Sequence, residues 1–494
     1  MTEEKFMLKL NNFINGNFVS PVDDVYMNNY NPSTGEVYSM VPDSSDKDVE
    51  LAVEAASKAL AGWSAKSPAE RSVYLYRIAD LIEKHIGHLS EAESKDQGKT
   101  IKTARTVDIP RSAANFRFYA GQILYTTEPS SAHHVMGQEY LNYTIRAPVG
   151  VCGLISPWNL PLYLLTWKIA PAIALGNTCV CKPSEITPMT AFILCDILNE
   201  AGLPPGVVNM VFGTGPRAGS ALVQHPKVPC ISFTGGTKTG EVITKLSSPY
   251  HKKLSLELGG KNPAIVFDDC NFEECVEVLV RSSFSNQGEI CLCNSRIFVQ
   301  DTVYERFVEK FVERVKQLKV GDPADETCDM GALISEDHLK KIEYYVDLAK
   351  QEGGRIMCGG QRAQVGDADS KFRKGYFYQP TVIVDCKPDS RTMQEEIFGP
   401  VVGIYHFSTE QQALSYANDI QYGLSSSVWT KDLDKAHRVA AKVECGICWV
   451  NCWMVRDLKT PFGGSKASGV GREGGLHSVE FYTECKNICI KLGK

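Results

Sequence analysis

Several short stretches of this 494-residue chain hold residue types that could act on a carbonyl carbon. In Asn286-Gln287-Gly288-Glu289-Ile290-Cys291-Leu292-Cys293 a thiol follows a glycine turn and precedes a strand-like run, a setting that can expose a nucleophile. The alternative is a pair of buried thiols, the commoner fate of cysteine. In Leu256-Glu257-Leu258-Gly259-Gly260-Lys261 a carboxylate lies between leucines, ahead of paired glycines. An apolar setting raises a carboxyl pKa, which suits a general base near neutral pH; a glutamate facing solvent at a strand end is the other reading. In Pro157-Trp158-Asn159-Leu160-Pro161 two prolines stiffen a turn that presents one amide. Asn159 there either donates to a developing oxyanion or satisfies its own turn.

Two glycine-rich turns follow strand-like runs. Gly213-Thr214-Gly215-Pro216-Arg217-Ala218-Gly219 lacks the G-x-G-x-x-G spacing of a dinucleotide fingerprint. Gly235-Gly236-Thr237-Lys238-Thr239-Gly240 precedes a helical stretch whose N-terminus could face a pyrophosphate, though a plain turn fits either stretch. Cys445-x-x-Cys448 is the sole CxxC, lies in an apolar run and has no second pair, so no metal is expected.

Elements must hold these groups together. Ser67-Pro68-Ala69-Glu70 reads as a capping box, and Leu75, Ile78, Ala79 and Ile82 continue it as a helical stripe. From residue 150, short apolar runs (VGVCGLISP, NTCVCKPSE, VVNMVFGTG, CISFTGG, NPAIVFDD) alternate with helical segments, the mark of a parallel sheet. Such sheets take ligands at the carboxyl ends of their strands. A second alternating series after Asp268, with strand signals at 296–300 and 446–451, suggests a second α/β domain. Segments 139–146 and 481–492 alternate like exposed strands, whose edges need a partner.

Composition narrows the classes. The chain is too long for one core, and a formal charge of −6 argues against nucleic acid as the main partner. The N-terminal stretch is charged, and no run approaches the roughly 20 apolar residues of a membrane span. The longest apolar region, 160–175, is interrupted by Pro161, Lys168 and Pro171. Seventeen cysteines without an export signal predict a reducing, cytoplasmic setting.

PWNLP at 157–161, KPSE at 182–185, FTGGTKTG at 233–240, LELGGKNP at 256–263, NQGEIC at 286–291, EEIFGPV at 395–401 and PFGGSKASGVGRE at 461–473 together resemble the aldehyde dehydrogenase superfamily, in its order and over essentially the whole chain. The resemblance implies an α/β fold: a Rossmann-type parallel-sheet NAD-binding domain (1–129 and 149–259), a second α/β catalytic domain (260–462) and a small β oligomerisation arm (130–148 and 475–494). It implies Cys291 rather than Cys293 as nucleophile, Asn159 with the Cys291 backbone N–H as oxyanion hole, and Glu257 as the base that activates hydrolytic water. Lys182 and Glu185 would hold the adenosine ribose, with Gly215 and Pro216 near the adenine. Gly235, Gly236 and Gly240 would form the pyrophosphate turn, Glu396 would position the nicotinamide ribose, and Trp158 and Phe398 would line the cofactor. A carboxylate at Glu185 accepts a 2′-hydroxyl and repels a 2′-phosphate, which predicts NAD over NADP. The family often has Gly-Ser where this chain has Gly235-Gly236, so an altered cofactor affinity is expected at most.

The segments SKDQGKT (94–100), ARTVDIPRSAANFRF (104–118), ISPWNLPLYLLTWKIAPA (155–172), VRSSFSNQGEICLCNSRIFVQ (280–300) and VNCWMVRDLKTPFGG (450–464) resemble a branch of the family that oxidises a semialdehyde in the kynurenine route of tryptophan catabolism. A semialdehyde carries a carboxylate far from its aldehyde. Arg111 and Arg456 are the candidates to grip it in bidentate fashion, with Tyr163 and Trp167 beside them. Pairing of Arg111 with Asp108 or a partner subunit, and of Arg456 with Asp457, are the competing readings. Rival functions are a retinal or broad-specificity dehydrogenase using an apolar wall of Leu162, Tyr163, Leu165 and Trp167, a catalytically silent structural relative, and an acylating enzyme that passes its thioester to coenzyme A. The expected partners are a small-molecule aldehyde and further copies of the chain, as homodimer or homotetramer, with no nucleic acid and no membrane.

Overall fold

The apolar runs after residue 150 are short, end in Gly, Pro or Ser, and become strands buried on both faces, which is why they do not alternate. In the computed structural model, which describes residues 7–125, 130–135, 137–367 and 369–493, four of them are Val151–Ile155, Thr178–Lys182, Val208–Met210 and Cys230–Thr234, joined by Lys253–Glu257, which is not among the expected runs. The fifth run, NPAIVFDD, is Asn262–Val266 and belongs to a second sheet instead. The four runs and Lys253–Glu257 pair in parallel at the centre of an eight-stranded sheet. The hairpin Asn12–Ile14 and Asn17–Val19 extends one edge, and the antiparallel strand Gly469–Val470 closes the other. Register aligns Ile155 with Lys182 and Thr234 with Glu257, so the carboxyl ends emerge along one rim.

The chain leaves this sheet after Glu257 and enters a second at Asn262. The second sheet has seven strands, all parallel to their neighbours except Arg355–Cys358. Separate apolar clusters flank each sheet, and a smaller one around Leu160, Tyr163, Trp449 and Trp453 lies under residues 290–293. Ser67 and Glu70 form the reciprocal cap expected at the start of the helix Pro68–Lys84.

The apolar region 160–175, interrupted in sequence by Pro161, Lys168 and Pro171, folds as one helix, Pro161–Ala174, with every residue buried. Pro161 sits at the first turn, where no N–H is needed, and Lys168 is neutralised inside by Glu473. The two exposed-looking segments satisfy one another first. Gln138–Pro148 and Thr483–Lys491 pair antiparallel from Pro148–Thr483 to Tyr140–Lys491, with Ser130–Val135 on the far side. The stretch 475–482, assigned to the arm, is mostly a helix (Gly475–Tyr482) that packs on the body of the first domain, where Tyr482 is buried and Ser478 bonds Tyr119.

Candidate active site

The helix Phe272–Phe284 ends in an abrupt reversal. Asn286, Gln287 and Gly288 take φ values of +51°, +57° and +72°, and the chain then presents Cys291. For the two non-glycine residues this costs about 1–3 kcal/mol each. Long-range bonds hold it: Asn286 Nδ2 donates to Asn159 O (3.1 Å) and Gln287 Nε2 to Ala332 O (3.1 Å). At Gly288 a Cβ would lie 2.2 Å from the carbonyl oxygen of Gly399, so only glycine lets the 396–399 loop close onto the turn. Asn262 clamps the exit, donating to the carbonyls of Cys291 (2.6 Å) and Cys293 (2.9 Å).

The two thiols then diverge. Cys291 is half-buried and lines a cavity of about 260 Å³. Burial, then the carboxylates of Glu257 and Glu396, hold its thiol above the ordinary range. Cys293 is 6% exposed, packs into the apolar cluster, and is pushed up to about 12 by burial.

Asn159 lines the same cavity from the loop between Val151–Ile155 and Pro161–Ala174. Its Nδ2 donates to Glu289 O (2.8 Å), and its own carbonyl accepts from Lys99 Nζ (3.0 Å). Glu257 ends its strand almost wholly buried, with Oε1 lacking a hydrogen-bond partner. Burial and then the neighbouring Glu473 carboxylate push its pKa well up. Glu473 is itself held by Trp167 Nε1 (2.5 Å), Ser232 Oγ (3.1 Å) and Lys168 Nζ (3.2 Å).

The cavity continues into a cleft of about 540 Å³ that shares Trp158, Thr234, Gly235 and Gly236 with it. Lys182, Glu185, Gly215 and Pro216 line the cleft. Lys182 Nζ is 2.8 Å from both Glu185 Oε2 and Gly213 O. Gly236 caps the helix Thr237–Ser247, which points free N–H groups at the cleft. Glu396 accepts from Gly260 N (2.8 Å), and the Phe398 and Trp158 rings meet edge-on at 5.3 Å. Gly240 does not line the cleft; its missing Cβ admits Leu258, whose Cδ2 would lie 2.7 Å from it.

A further cavity, of about 370 Å³, is lined by Leu292 next to Cys291 and by Arg111, Tyr163 and Arg456. Arg456 Nη1 donates to Tyr163 Oη (3.2 Å), and its guanidinium lies 4.2 Å and 3.8 Å from the Trp167 and Phe462 rings. In both arginines, Nε and Nη2 are buried with no hydrogen-bond partner. Neither pairing within the chain forms: Asp108 is taken by Lys99 (2.5 Å), and Asp457 caps Lys459 N. Trp167, 2% exposed, stands behind Arg456 rather than in the cavity wall. Leu162 and Leu165 point into the core, so the expected apolar wall is absent.

Sequence reasoning passes over Asn262, Lys99, and the pair His338 and Lys341, which line the cavity beside Glu396. Burial drops His338 to about 4, so it is neutral, and its Nε2 meets Phe398 O at 2.6 Å. Asn262 and Lys99 stand in the stretches LELGGKNP and SKDQGKT, where residue type alone gives them no role; nothing local marks His338 or Lys341. Among the described residues no cluster of three His, Cys, Asp or Glu could hold a metal.

A thiol, an amide and a buried carboxylate thus converge beside a long cleft. The Aldehyde dehydrogenase family model matches residues 18–488, and the chain belongs to that family. The 2-aminomuconic semialdehyde dehydrogenase of Mus musculus is 55% identical over 491 residues, covering 99% of this chain and 100% of that one. Among solved structures, HpcC from Thermus thermophilus matches at TM-score 0.95 and 42% identity, over 98% of this chain and 94% of that one. PnpE in complex with nicotinamide adenine dinucleotide matches at 0.93 and 38%, over 97% of each.

Proposed function

We propose that the chain is an NAD-dependent dehydrogenase that oxidises 2-aminomuconic 6-semialdehyde to its acid in the kynurenine route, through a thioester on Cys291. One observation carries the substrate class. Two guanidinium groups line the cavity beside Leu292 with buried N–H groups that lack acceptors. Unpaired buried donors are costly, and a carboxylate entering from solvent satisfies them in bidentate fashion.

The cleft suits the cofactor: the Lys182–Glu185 pair lies at its wall, a helix N-terminus faces it, and no heavy atom lies within 4 Å of where a Cβ would stand on Gly236. Lys182 and Glu185 would hold the adenosine ribose and Glu396 the nicotinamide ribose. Gly215 and Pro216 would meet the adenine and Gly235 and Gly236 the pyrophosphate, with Trp158 and Phe398 lining the cofactor. The Cys291 thiol gives its proton to water, the thiolate sulfur bonds the aldehyde carbon as the C=O π bond opens, and Asn159 Nδ2 with the Cys291 N–H receives the resulting oxyanion. NAD, when bound, supplies the acceptor for the hydride that this carbon gives up as it becomes a thioester. Glu257 then takes a proton from water, the new C–O bond forms, and the C–S bond breaks to return the thiolate.

Arg456→Ala tests the substrate class. The kcat/KM for a carboxylated semialdehyde falls roughly 10-fold to 100-fold, the ~1.5–3 kcal/mol of a charged hydrogen bond, while an uncharged aldehyde of similar length is spared. An equal loss on both contradicts the reading. Glu185 further predicts NAD over NADP, and comparable kcat/KM with the two overturns it. The seventeen unpaired thiols suit a cytoplasmic setting. Assembly into a homodimer or homotetramer through the arm is supported by the outer edge of Thr483–Lys491, which pairs with no strand among the described residues.

A further inference from the structure

Behind Asn159 lies a charge that the chemistry above leaves unused. Lys99 is fully buried. Its ammonium donates to Asp108 Oδ2 (2.5 Å) and to the backbone oxygen of Asn159 (3.0 Å), with Glu93 Oε1 at 3.9 Å. A buried ammonium is expensive unless it is paired and hydrogen-bonded, so this one is fixed by its acceptors and fixes them in turn.

The elements around it give that lock a direction. Gly98, at φ +89°, caps the helix Ile86–Gln97 and turns Gln97 and Lys99 toward the nucleophile loop. Gln97 Nε2 donates to Glu289 Oε2 (2.7 Å), while Asn159 Nδ2 donates to the Glu289 carbonyl (2.8 Å). One three-residue turn therefore grips Asn159 and the residue two before Cys291. Asp108 closes the π-helical turn Ala104–Asp108, and the next helix, Ile109–Gln122, carries Arg111. Thr106, Val107 and Arg111 line the cavity assigned to the carboxylate.

We propose that Lys99 is a positioning residue that ties the main chain of Asn159 to the turn carrying Arg111, fixing the separation between the oxyanion end and the carboxylate end of the substrate path. The inference rests on the roles given above to Asn159 and Arg111. A lysine that only neutralised Asp108 would support the fold and nothing more. A lysine acting through Asn159 and the Arg111 turn affects turnover on every aldehyde, and affects a carboxylated one more.

The test is a double-mutant cycle with Lys99→Met and Asn159→Ala, read on an uncharged aldehyde and on a carboxylated semialdehyde, with thermal melting and NAD affinity measured alongside. Lys99→Met is expected to lower kcat/KM on the uncharged aldehyde roughly 10-fold to 100-fold, the scale of an ångström misplacement. It lowers the carboxylated substrate further, leaves NAD affinity unchanged, and adds little in the Asn159→Ala background. Should Lys99→Met fail to fold, Asp108→Asn keeps the bond to Asn159; it should shrink the preference for the carboxylated substrate and spare the uncharged one. Equal losses with and without Asn159, or an unchanged substrate preference in a folded variant, overturn the proposal. Arg111→Ala run in parallel separates the two levels: equal loss there on both aldehydes contradicts the carboxylate reading, while the cycle on the uncharged aldehyde still judges the tie between Lys99 and Asn159.

Discussion

Cys291 and Cys293 stand two residues apart and share a clamp, Asn262, yet Cys291 lines a cavity while Cys293 packs into the apolar cluster. Cys291→Ser should abolish turnover, whereas Cys293→Ala should keep most of it and cost about 1 kcal/mol of stability by thermal melting. Loss of turnover in both, with both folded, would contradict the assignment. Glu257 raises the Cys291 thiol and is itself raised by burial and Glu473. A base must be ionised to accept a proton, so thioester hydrolysis should increase with pH through the raised Glu257 pKa. Glu257→Gln removes a negative charge near the sulfur, which favours the thiolate. The pH midpoint for alkylation of Cys291 by iodoacetamide should then shift downward, and an upward or absent shift would refute the coupling. The nucleophile, the amide and the carboxylate were legible because each sits in a short motif. Lys99 was not, although it stands in the stretch SKDQGKT: nothing in that stretch says that its second lysine is buried, and its partners lie up to 60 positions away.

Two glycines in one helix turn make opposite predictions at the scale of the element. Gly236 caps Thr237–Ser247 in extended backbone, with nothing within 4 Å of an added Cβ. Gly236→Ser should fold normally, gain a few tenths of a kcal/mol as a cap, and bind NAD at least as tightly. A weaker Kd for NAD would argue against a pyrophosphate there. Gly240 packs on Leu258, and Gly240→Ala should cost about 1–3 kcal/mol through overpacking, seen as a lower Tm. Sequence alone reads both as one cofactor turn, since motif spacing does not say which glycine faces the cleft and which faces a leucine. The strands were legible for a plainer reason. Doubly buried strands are continuous apolar runs, and those after residue 150 carry their own stop signals. The burial of Lys168 within the helix Pro161–Ala174 was not legible, because the partner that neutralises it is Glu473, more than 300 positions away.

Across the whole molecule the site is made where the carboxyl rim of one sheet meets the turn that enters the other, so neither half holds it alone. The arm lies apart from this chemistry, and its pairing of 138–148 with 483–491 was out of reach because strand partners distant in sequence leave no local signal. Removing residues 483–494 should yield a smaller sedimenting species, and an unchanged sedimentation coefficient would exclude the arm from assembly. The most direct measurement of the central claim traps the covalent stage. Glu257→Gln enzyme, mixed with NAD and a carboxylated semialdehyde, should release about one NADH per subunit in a burst with slow turnover after it. Peptide mass spectrometry of the quenched protein should then find the acyl group on Cys291. An acyl group on Cys293, or NADH release with no adduct and with undiminished turnover, would contradict a thioester on Cys291.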